Sequence, residues 1–286
     1  MATPDLAEIL KIVDNALLED IGEGDHTSLA TIPEDAIGKA HLLVKEDGVL
    51  AGVELAAIIF ERVDPRLVMD IRIQDGAQVS TGDIAFYLSG PSRSIVSAER
   101  LVLNFMQRMS GIATKTYRMV RIIAQTPAKV LDTRKTTPGI RLMEKWAVRI
   151  GGGMNHRYAL YDMIMIKDNH IDYAGGIAQA IERTHAYLQA KKKKLKIEIE
   201  VRNYHELVQV LEVGGVDRIM LDNFTPDQLR EALQLIDRSK YETEASGGIT
   251  EESILSYAET GVDFISCGAL THSVKSLDLS LKAEFS

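Results

Sequence analysis

Apolar residues near the N-terminus recur every three to four positions, from Leu6 to Leu18, and predict an amphipathic helix over residues 5–20. A loop with glycines and a proline follows, in which Asp25 is expected to cap a turn rather than to bind a ligand. A second helix is predicted over residues 53–63. Runs of alternating or apolar residues predict three strands, near 38–46, 68–73 and 83–89.

A strong helical pattern covers residues 93–110 and ends at Gly111. The glycine predicts a break before a second helix at 112–125. We place a candidate domain boundary between these two helices.

From Lys129 onward, short apolar strands alternate with helices. The predicted strands are 129–132, 163–166, 196–201, 217–221, 241–245 and 262–266. The predicted helices lie near 139–149, 176–190, 203–212, 225–237 and 250–259. This alternation is typical of parallel strands with helices packed outside them, in a barrel or in an open doubly wound sheet.

Polar or charged residues directly follow most of these strands. They are Asp132 to Lys135, Lys167 and Asp168, Glu200, Asp222 and Asn223, Ser246 to Gly248, and Gly268. In an α/β barrel all of these strand ends face one mouth, where such folds bind their substrates. The pattern therefore predicts a binding site built from the strand ends.

Charge is distributed unevenly between this region and the rest of the chain. The 286 residues carry a formal charge of -8, whereas residues 130–170 contain 7 Lys and Arg against 4 Asp and Glu. A local basic cluster in an acidic protein favours a small anionic ligand over nucleic acid, which needs a broad basic face. No membrane span or signal sequence is predicted, and the single cysteine, Cys267, suits a reducing cytoplasm.

Cations and glycines in this region indicate how such a ligand could be held. Arg134 and Lys135 precede Thr137 and Pro138, which suit a helix N-terminus that attracts anions. The glycines at 151–153 do not fit a dinucleotide-binding fingerprint and are expected to let backbone approach a ligand. They would aim three side chains at it: Asn155, His156 and Arg157.

Two carboxylates at successive strand ends, Glu200 and Asp222, are candidate Mg²⁺ ligands, because Mg²⁺ accepts few protein oxygens and completes its shell with water and phosphates. Glu198 is expected to point differently from Glu200 and is the weaker candidate. The loops at Ser246–Gly247 and at Gly268 end the last two strands, where barrels commonly bind phosphate through backbone N–H groups.

A non-enzymatic alternative arises from DGAQVSTGDIAFYLSG, which resembles the hairpin of lipoyl and biotinyl carrier domains. Such a carrier needs an exposed lysine at the hairpin tip. The sequence has no lysine between Lys45 and Lys115, so the likeness is structural only.

Seven motifs together resemble the quinolinate phosphoribosyltransferase family. They are DTRKTTPG (132–139), GGGMNHR (151–157), IKDNH (166–170), EIEV (198–201), LDNF (221–224), ASGGIT (245–250) and GALTHS (268–273). The likeness covers nearly the whole chain and includes SAERLVLNFMQRMSGIAT in the N-terminal half. Ala159 and Cys267 depart from the expected glycine and small aliphatic residue, beside the proposed ligands rather than among them.

The resemblance implies an α/β fold with two domains. An N-terminal α/β sandwich over residues 1–111 would be joined by the C-terminal tail, 274–286, and an open α/β barrel would cover 112–273. It implies that quinolinate and 5-phosphoribosyl-1-pyrophosphate are converted to nicotinate mononucleotide, pyrophosphate and CO₂, a step of de novo NAD synthesis. The reaction would take place in the cytoplasm.

The same resemblance implies residue roles and a homodimer in which Arg100 of one subunit completes the pocket of the other. The side chains that would hold the quinolinate carboxylates are Arg134, His156, Arg157 and Lys167. Lys135 would meet the phosphoribosyl pyrophosphate, and Glu200 and Asp222 would serve Mg²⁺ and the ribose; these three are the expected catalytic residues. Ser246, Gly247 and Gly268 would cradle the 5′-phosphate.

Two alternatives remain open from the sequence. One is a related phosphoribosyltransferase that acts on another base, such as the molybdenum-associated paralogues of the family. The other is a phosphate-sensing barrel without turnover. Incubation with quinolinate and nicotinate separately, with pyrophosphate release as the readout, distinguishes all three.

Overall fold

The computed structural model describes residues 4–284 of the chain. Its helices are α1 (Leu6–Asp20), α2 (His26–Thr31), α3 (Val53–Val63), α4 (Ser92–Ile122), α5 (Arg141–Ile150), α6 (Asp168–Ala174), α7 (Ile177–Lys191), α8 (Tyr204–Val213), α9 (Pro226–Leu235), α10 (Ile254–Ala258) and α11 (Ala269–His272). Its strands are β1 (Ile37–Val44), β2 (Gly48–Val49), β3 (Val68–Ile71), β4 (Gln78–Val79), β5 (Ile84–Pro91), β6 (Lys129–Leu131), β7 (Ile164–Ile166), β8 (Ile197–Val201), β9 (Arg218–Asp222), β10 (Glu242–Ser246), β11 (Phe264–Ser266) and β12 (Leu279–Glu284).

The first of two units contains Met1–Tyr117, Thr136–Gly152 and Leu270–Ser286. Its sheet has the order β12-β1-β5-β3 with antiparallel pairing, so the C-terminal strand joins strands from the start of the chain.

Ile9 and Val13 of α1 are fully buried, as its apolar periodicity predicts. Asp25 caps α2 by accepting a hydrogen bond from the backbone N–H of Ser28 at 3.0 Å, which confirms its predicted turn-capping role.

Helix α4 continues through Gly111, so the predicted helix break at this residue is wrong. A Cβ added to Gly111 would lie 2.3 Å from the backbone oxygen of Lys275. The glycine therefore permits a close approach between the helix and a neighbouring backbone segment, which is its second common use besides ending helices.

The second unit contains Arg118–Lys135 and Gly153–Ala269. Its six strands are parallel and have the order β6-β11-β10-β9-β8-β7, so β6 and β7, consecutive in the chain, lie at opposite edges. Helices alternate with these strands, as the sequence predicts. The arrangement is an open α/β barrel, which confirms the predicted fold class.

The two faces of the central strands differ in character. In β8, Ile197, Ile199 and Val201 are almost completely buried, and each such side chain contributes about 1.5–3 kcal/mol to folding. The residues between them, Glu198 and Glu200, are also buried although they are charged. Because strand residues two apart share a face, one face of the sheet is apolar and the other is polar.

None of the helices within residues 4–284 is long and apolar enough to cross a membrane.

Candidate active site

Most of the predicted site residues lie at or near the carboxyl ends of the six parallel strands. Arg134 and Lys135 follow β6, His156 and Arg157 lie in the loop between α5 and β7, Lys167 follows β7, Glu200 lies in β8, Asp222 and Ser246 end β9 and β10, and Gly247 and Gly268 follow β10 and β11. Every one of these residues belongs to the second unit. Arg100 lies on α4 in the first unit, where its side chain is exposed.

Two arginines form the most basic part of the site. Burial lowers the pKa of the Arg157 guanidinium, and the positive charge of Arg134 lowers it further. The Nε atom of Arg134 is buried without a hydrogen-bond partner among the described residues, and Arg157 Nη1 donates to the backbone oxygen of Met163 at 3.2 Å. Two neighbouring guanidiniums that repel each other can be stabilised by an anionic ligand.

Lys167 and Glu200 form an ion pair across the ends of β7 and β8. The distance from Lys167 Nζ to Glu200 Oε2 is 2.9 Å, and Glu200 is only 8% exposed. The lysine also precedes α6, where its backbone N–H donates to His170 Nδ1 at 2.9 Å. Lys135, by contrast, is exposed, and its backbone N–H donates to Thr133 Oγ1 at 3.0 Å.

Asn223 connects the ends of β9 and β10. Its side-chain Nδ2 donates to Asp222 Oδ2 at 2.6 Å, and its backbone N–H donates to the Ser246 oxygen at 2.8 Å. The residue has a φ of 58°, a left-handed conformation that asparagine tolerates better than most residues. Asp222 and Ser246 are also register partners in the parallel sheet, so the two strand ends lie side by side.

Gly247 occupies a position where a side chain would collide with this arrangement. Its φ is +105°, and an added Cβ would lie 2.2 Å from Asn223 Oδ1. We expect Gly247→Ala to destabilise the protein by about 1–3 kcal/mol and to displace the loop after β10. Thermal unfolding would show a melting temperature lower by several degrees, and binding of phosphoribosyl pyrophosphate, measured by calorimetry, would weaken.

Gly248→Ala is the matched control for this prediction. Gly248 also has a positive φ, +61°, but an added Cβ would meet nothing within 4 Å. The control therefore carries the backbone strain without the collision. Equal losses in the two variants would show that the contact with Asn223 is unimportant.

The loop that carries His156 and Arg157 runs beside β6. Met154 pairs with Leu131 in a parallel bridge, and the backbone N–H of Met154 donates to the Val130 oxygen at 2.8 Å. Asp132, which is fully buried, accepts from the His156 backbone N–H at 2.9 Å and from Asn155 Nδ2 at 2.6 Å. The carboxylate at the end of β6 therefore fixes the backbone of this loop.

The His156 ring points into the polar interior of the barrel. Its Nε2 lies 3.0 Å from Glu198 Oε2 and 3.4 Å from Glu244 Oε2, and the residue is 7% exposed. Burial lowers the pKa of His156, but hydrogen bonds to the two carboxylates outweigh that effect and raise it to about 9. The prediction that Glu198 points away from the Glu200 face is wrong, because residues two apart in a strand share a face.

Two other sequence interpretations need correction in the first unit. Helix α5 begins at Arg141 without a side-chain cap, so Thr137 and Pro138 do not form its N-terminus. Thr137 instead donates its backbone N–H to Glu144 Oε2 at 3.0 Å. A Cβ on Gly151 would lie 2.4 Å from the Ala113 oxygen, so this glycine permits packing against α4 rather than an approach to a ligand.

The sequence interpretation overlooked Glu244 and Arg218. A signal was available, because β8, β9 and β10 read IEIEV, RIMLD and ETEAS, in which the charged residues of each strand are two or four positions apart and so share one face. Strands buried on both faces usually have continuous apolar runs. Alternation in three successive strands therefore indicates a polar barrel interior, which includes these two residues.

Two carboxylates near the strand ends are the candidate ligands for a divalent ion. Glu200 and Asp222 lie on neighbouring strands and supply oxygen ligands only, which suits Mg²⁺ with waters and phosphate oxygens in its remaining positions. Among the described residues, a second set of three potential ligands, His156, Glu198 and Glu244, is buried deeper, with one ligand atom of each lying within 4.8 Å of the others.

Comparison with known proteins gives consistent matches over nearly the whole chain. The family profile described as quinolinate phosphoribosyl transferase, N-terminal domain, matches residues 25–110, and the profile of its C-terminal domain matches 112–282. A quinolinate phosphoribosyltransferase (decarboxylating) from Nicotiana tabacum is 49% identical over 96% of this chain and 81% of its own length. A probable nicotinate-nucleotide pyrophosphorylase (carboxylating) from Bacillus subtilis is 42% identical over 98% of this chain and 94% of its own.

Solved structures agree with these sequence matches. The nicotinate-nucleotide pyrophosphorylase from Francisella tularensis superposes with a TM-score of 0.90 at 39% identity, covering 99% of this chain and 98% of that one. NadC from Streptococcus pyogenes superposes with a TM-score of 0.92 at 37% identity over the same shares of the two chains.

Proposed function

Because the chain belongs to the quinolinate phosphoribosyltransferase family, we propose that it transfers the phosphoribosyl group of 5-phosphoribosyl-1-pyrophosphate to quinolinate. The products are nicotinate mononucleotide, pyrophosphate and CO₂, so the enzyme serves de novo NAD synthesis. The observation that best supports this reaction is the neighbouring pair Arg134 and Arg157 at the mouth of the barrel. Quinolinate carries two carboxylates, and a planar guanidinium can bind a carboxylate through two hydrogen bonds.

In this proposal the basic residues bind and orient the two anionic substrates. Arg134, Arg157 and Lys167 bind the quinolinate carboxylates and direct the ring nitrogen toward the anomeric carbon of the ribose. Lys135 contacts the pyrophosphate, where a positive charge stabilises the leaving group. Backbone N–H groups at Ser246, Gly247 and Gly268 hold the 5′-phosphate.

The carboxylates have a different role from the cations. Glu200 and Asp222 would hold Mg²⁺, which when bound supplies Lewis-acid neutralisation of charge on the departing pyrophosphate. The same carboxylates stabilise positive charge that develops on the ribose as the bond to pyrophosphate lengthens. Lys167 orients Glu200 through their ion pair.

Decarboxylation is proposed to follow formation of the N-glycosidic bond. The positive charge of the quaternised pyridinium ring stabilises the electron pair that CO₂ leaves on the ring carbon, and this carbon then takes up a proton from solvent. The neutral ring of free quinolinate does not stabilise this electron pair as well. Rapid-quench measurement of labelled CO₂ and of nucleotide should show that CO₂ never precedes the nucleotide. Release of CO₂ without phosphoribosyl pyrophosphate present would contradict this order.

A direct assay tests the proposed reaction. The purified protein should release pyrophosphate and form nicotinate mononucleotide when it receives Mg²⁺, phosphoribosyl pyrophosphate and quinolinate. Nicotinate in place of quinolinate should give little product, because it lacks the second carboxylate. Turnover with nicotinate alone would indicate another base as substrate, and the absence of turnover with either would indicate a non-catalytic protein.

We also propose a homodimer in which Arg100 contributes to the pocket of the partner. The Arg100 side chain is exposed on α4 and makes no hydrogen bond or ion pair with any other described residue. An exposed arginine side chain without a partner among residues 4–284 is available to bind an anion held by another subunit. The single buried cysteine supports a cytoplasmic location, whereas several plant relatives are named mitochondrial or chloroplastic.

Mixing two inactive variants tests the shared pocket. Arg100→Ala and Arg157→Ala should each abolish most activity, and a dissociated and reassociated equimolar mixture should recover about a quarter of the wild-type activity. Half of the dimers are then mixed, and one of their two pockets contains both arginines. Arg134→Ala mixed with Arg157→Ala is the control and should recover nothing, because both residues belong to the same pocket wall.

A further inference from the structure

Four charged or titratable side chains form a buried network beneath the mouth of the barrel. His156 Nε2 lies 3.0 Å from Glu198 Oε2 and 3.4 Å from Glu244 Oε2. Arg218 Nη1 donates to the same Glu244 oxygen at 2.9 Å, and its guanidinium lies 4.0 Å from the centre of the Phe264 ring. Glu198 and Glu244 are fully buried, and His156 and Arg218 are less than 10% exposed.

Stability does not account for this network. Both carboxylate oxygens of Glu198 and the Oε1 of Glu244 are buried without a hydrogen-bond donor among the described residues. Buried charges with incomplete hydrogen bonding cost free energy, and replacement of such groups by well-packed apolar residues is often neutral or stabilising. The network therefore requires an explanation in terms of what it does for the residues above it.

A transition-metal site is the first alternative, because an imidazole and two carboxylates are suitable ligands. Arg218 argues against it. Its Nη1 already donates a hydrogen bond to Glu244 Oε2 at 2.9 Å. A divalent ion bound to the same oxygen would lie next to this fixed positive charge. Arg218 supplies the positive charge, and the imidazole N–H supplies a polar group that faces the two carboxylates.

The other ring nitrogen of His156 connects the network to Arg157. The backbone N–H of Arg157 donates to His156 Nδ1 at 2.6 Å. A hydrogen on Nδ1 would point at this N–H group. The contact therefore disfavours protonation of Nδ1, which the two carboxylates would otherwise favour. We therefore assign the hydrogen of the ligand-free ring to Nε2, which faces Glu198 and Glu244, because the contact with the Arg157 N–H keeps Nδ1 an acceptor although the carboxylates raise the pKa of the ring.

We propose that Glu198 and Glu244 are positioning residues for quinolinate binding, which act on Arg157 through His156. The inference rests on the function proposed above. In it, His156 links the buried carboxylates to the backbone of Arg157 and does not contact the substrate directly. Both nitrogens of the imidazole are engaged inside the protein, so the ring anchors the loop instead of presenting a donor at the mouth.

Mutual repulsion between Arg134 and Arg157 makes such an anchor necessary. Without a ligand, the two guanidiniums tend to move apart, and the loop that carries Arg157 lies at the open edge of the sheet beside β6. Asp132 holds the backbone of His156, and the buried carboxylates hold its ring. The arginine is thereby kept in place before the substrate arrives, which lowers the entropic cost of binding.

Replacement of the carboxylates should affect one substrate selectively. In Glu198→Ala and Glu244→Ala, calorimetry should show quinolinate binding weakened on the order of 10- to 100-fold, with little change in phosphoribosyl pyrophosphate binding. Glu198→Gln keeps an acceptor for the His156 N–H and should recover part of the loss. Equal weakening of both substrates, or unchanged quinolinate affinity, would overturn the proposal.

Glu242→Ala is the matched control. Glu242 binds Arg218 Nη2 at 3.0 Å from the same strand as Glu244, but it lies at the other end of the guanidinium and also binds Lys196. Its removal takes a carboxylate from Arg218 without touching His156. We expect unchanged affinity for quinolinate in this variant, and a loss equal to that of Glu244→Ala would overturn the role assigned to His156.

Two measurements on the wild-type protein test the network independently of the proposed reaction. Nitrogen-15 spectra of histidine-labelled, ligand-free protein should show His156, assigned by comparison with His156→Gln, as the tautomer with hydrogen on Nε2 alone. A hydrogen on Nδ1 would break the connection to Arg157 and overturn the inference. Elemental analysis should find no stoichiometric transition metal, and its presence would favour the metal alternative instead.

Discussion

Arg134→Ala should weaken quinolinate binding by about 1.5–3 kcal/mol, the loss expected for a charged hydrogen bond, or roughly 10- to 150-fold. The Nε of Arg134 is buried and has no hydrogen-bond partner in the described chain, so the side chain has an unused donor. Removal of its charge also relieves Arg157, whose pKa should return toward its ordinary value. The reduced repulsion offsets only a small part of the lost binding free energy, because Arg157 is charged with or without Arg134 beside it.

Lys135→Ala provides the contrast for this prediction. The two residues are adjacent, yet Lys135 is proposed to contact the pyrophosphate rather than quinolinate. Calorimetry with each substrate should show that Arg134→Ala weakens quinolinate binding and Lys135→Ala weakens phosphoribosyl pyrophosphate binding. Unchanged quinolinate affinity in Arg134→Ala would contradict the assignment. Arg134→Lys should restore little, because an ammonium cannot form the two-pronged contact of a guanidinium.

Glu200→Gln should raise the Mg²⁺ concentration required for half-maximal activity by at least 10- to 100-fold, the effect usually seen when only an outer partner of a metal ligand is lost. Glutamine removes the negative charge that the ion needs, and it leaves Lys167 without the carboxylate that lies 2.9 Å from its Nζ. Asp222→Asn should have a similar effect, because the two carboxylates are proposed to share the ion.

Activity measured against free Mg²⁺ at saturating substrate tests this prediction, with Mn²⁺ binding by electron paramagnetic resonance as an independent readout. Asp227→Asn is the control, since Asp227 is an exposed carboxylate on α9 that pairs with Arg230. It should leave the Mg²⁺ requirement unchanged. If Glu200→Gln and Asp222→Asn also leave it unchanged, neither residue is a metal ligand.

Local sequence patterns predicted most of the second unit correctly. The change from mixed spacing to alternating strands and helices identified the parallel sheet, because strand period, helix period and helix-ending glycines are properties of short segments. The same patterns predicted a candidate site at the strand ends. Parallel strands direct their carboxyl ends to one edge, so Arg134, Lys167 and Asp222 could be assigned to a common mouth without knowledge of any contact.

Partners that are distant in the chain could not be predicted in this way. The sequence assigned Gly111 and Gly151 to a helix break and a ligand contact, whereas tertiary structure places each against another backbone oxygen, that of Lys275 or Ala113. A glycine looks the same in the sequence whether it supplies a turn or a close approach. Only the packed structure distinguishes the two uses.

The local patterns of the sequence therefore determined a parallel α/β sheet and predicted a basic candidate site at its strand ends, because both follow from repeating local patterns and fixed charges. The choice of an open barrel over an open doubly wound sheet came from the family resemblance. Tertiary structure decided which group each site residue contacts. It joined His156 to Glu198 and Glu244 and placed Arg157 beside Arg134. Such pairings depend on the curvature of the sheet and on side-chain direction, which bring together atoms that no short segment of the chain contains.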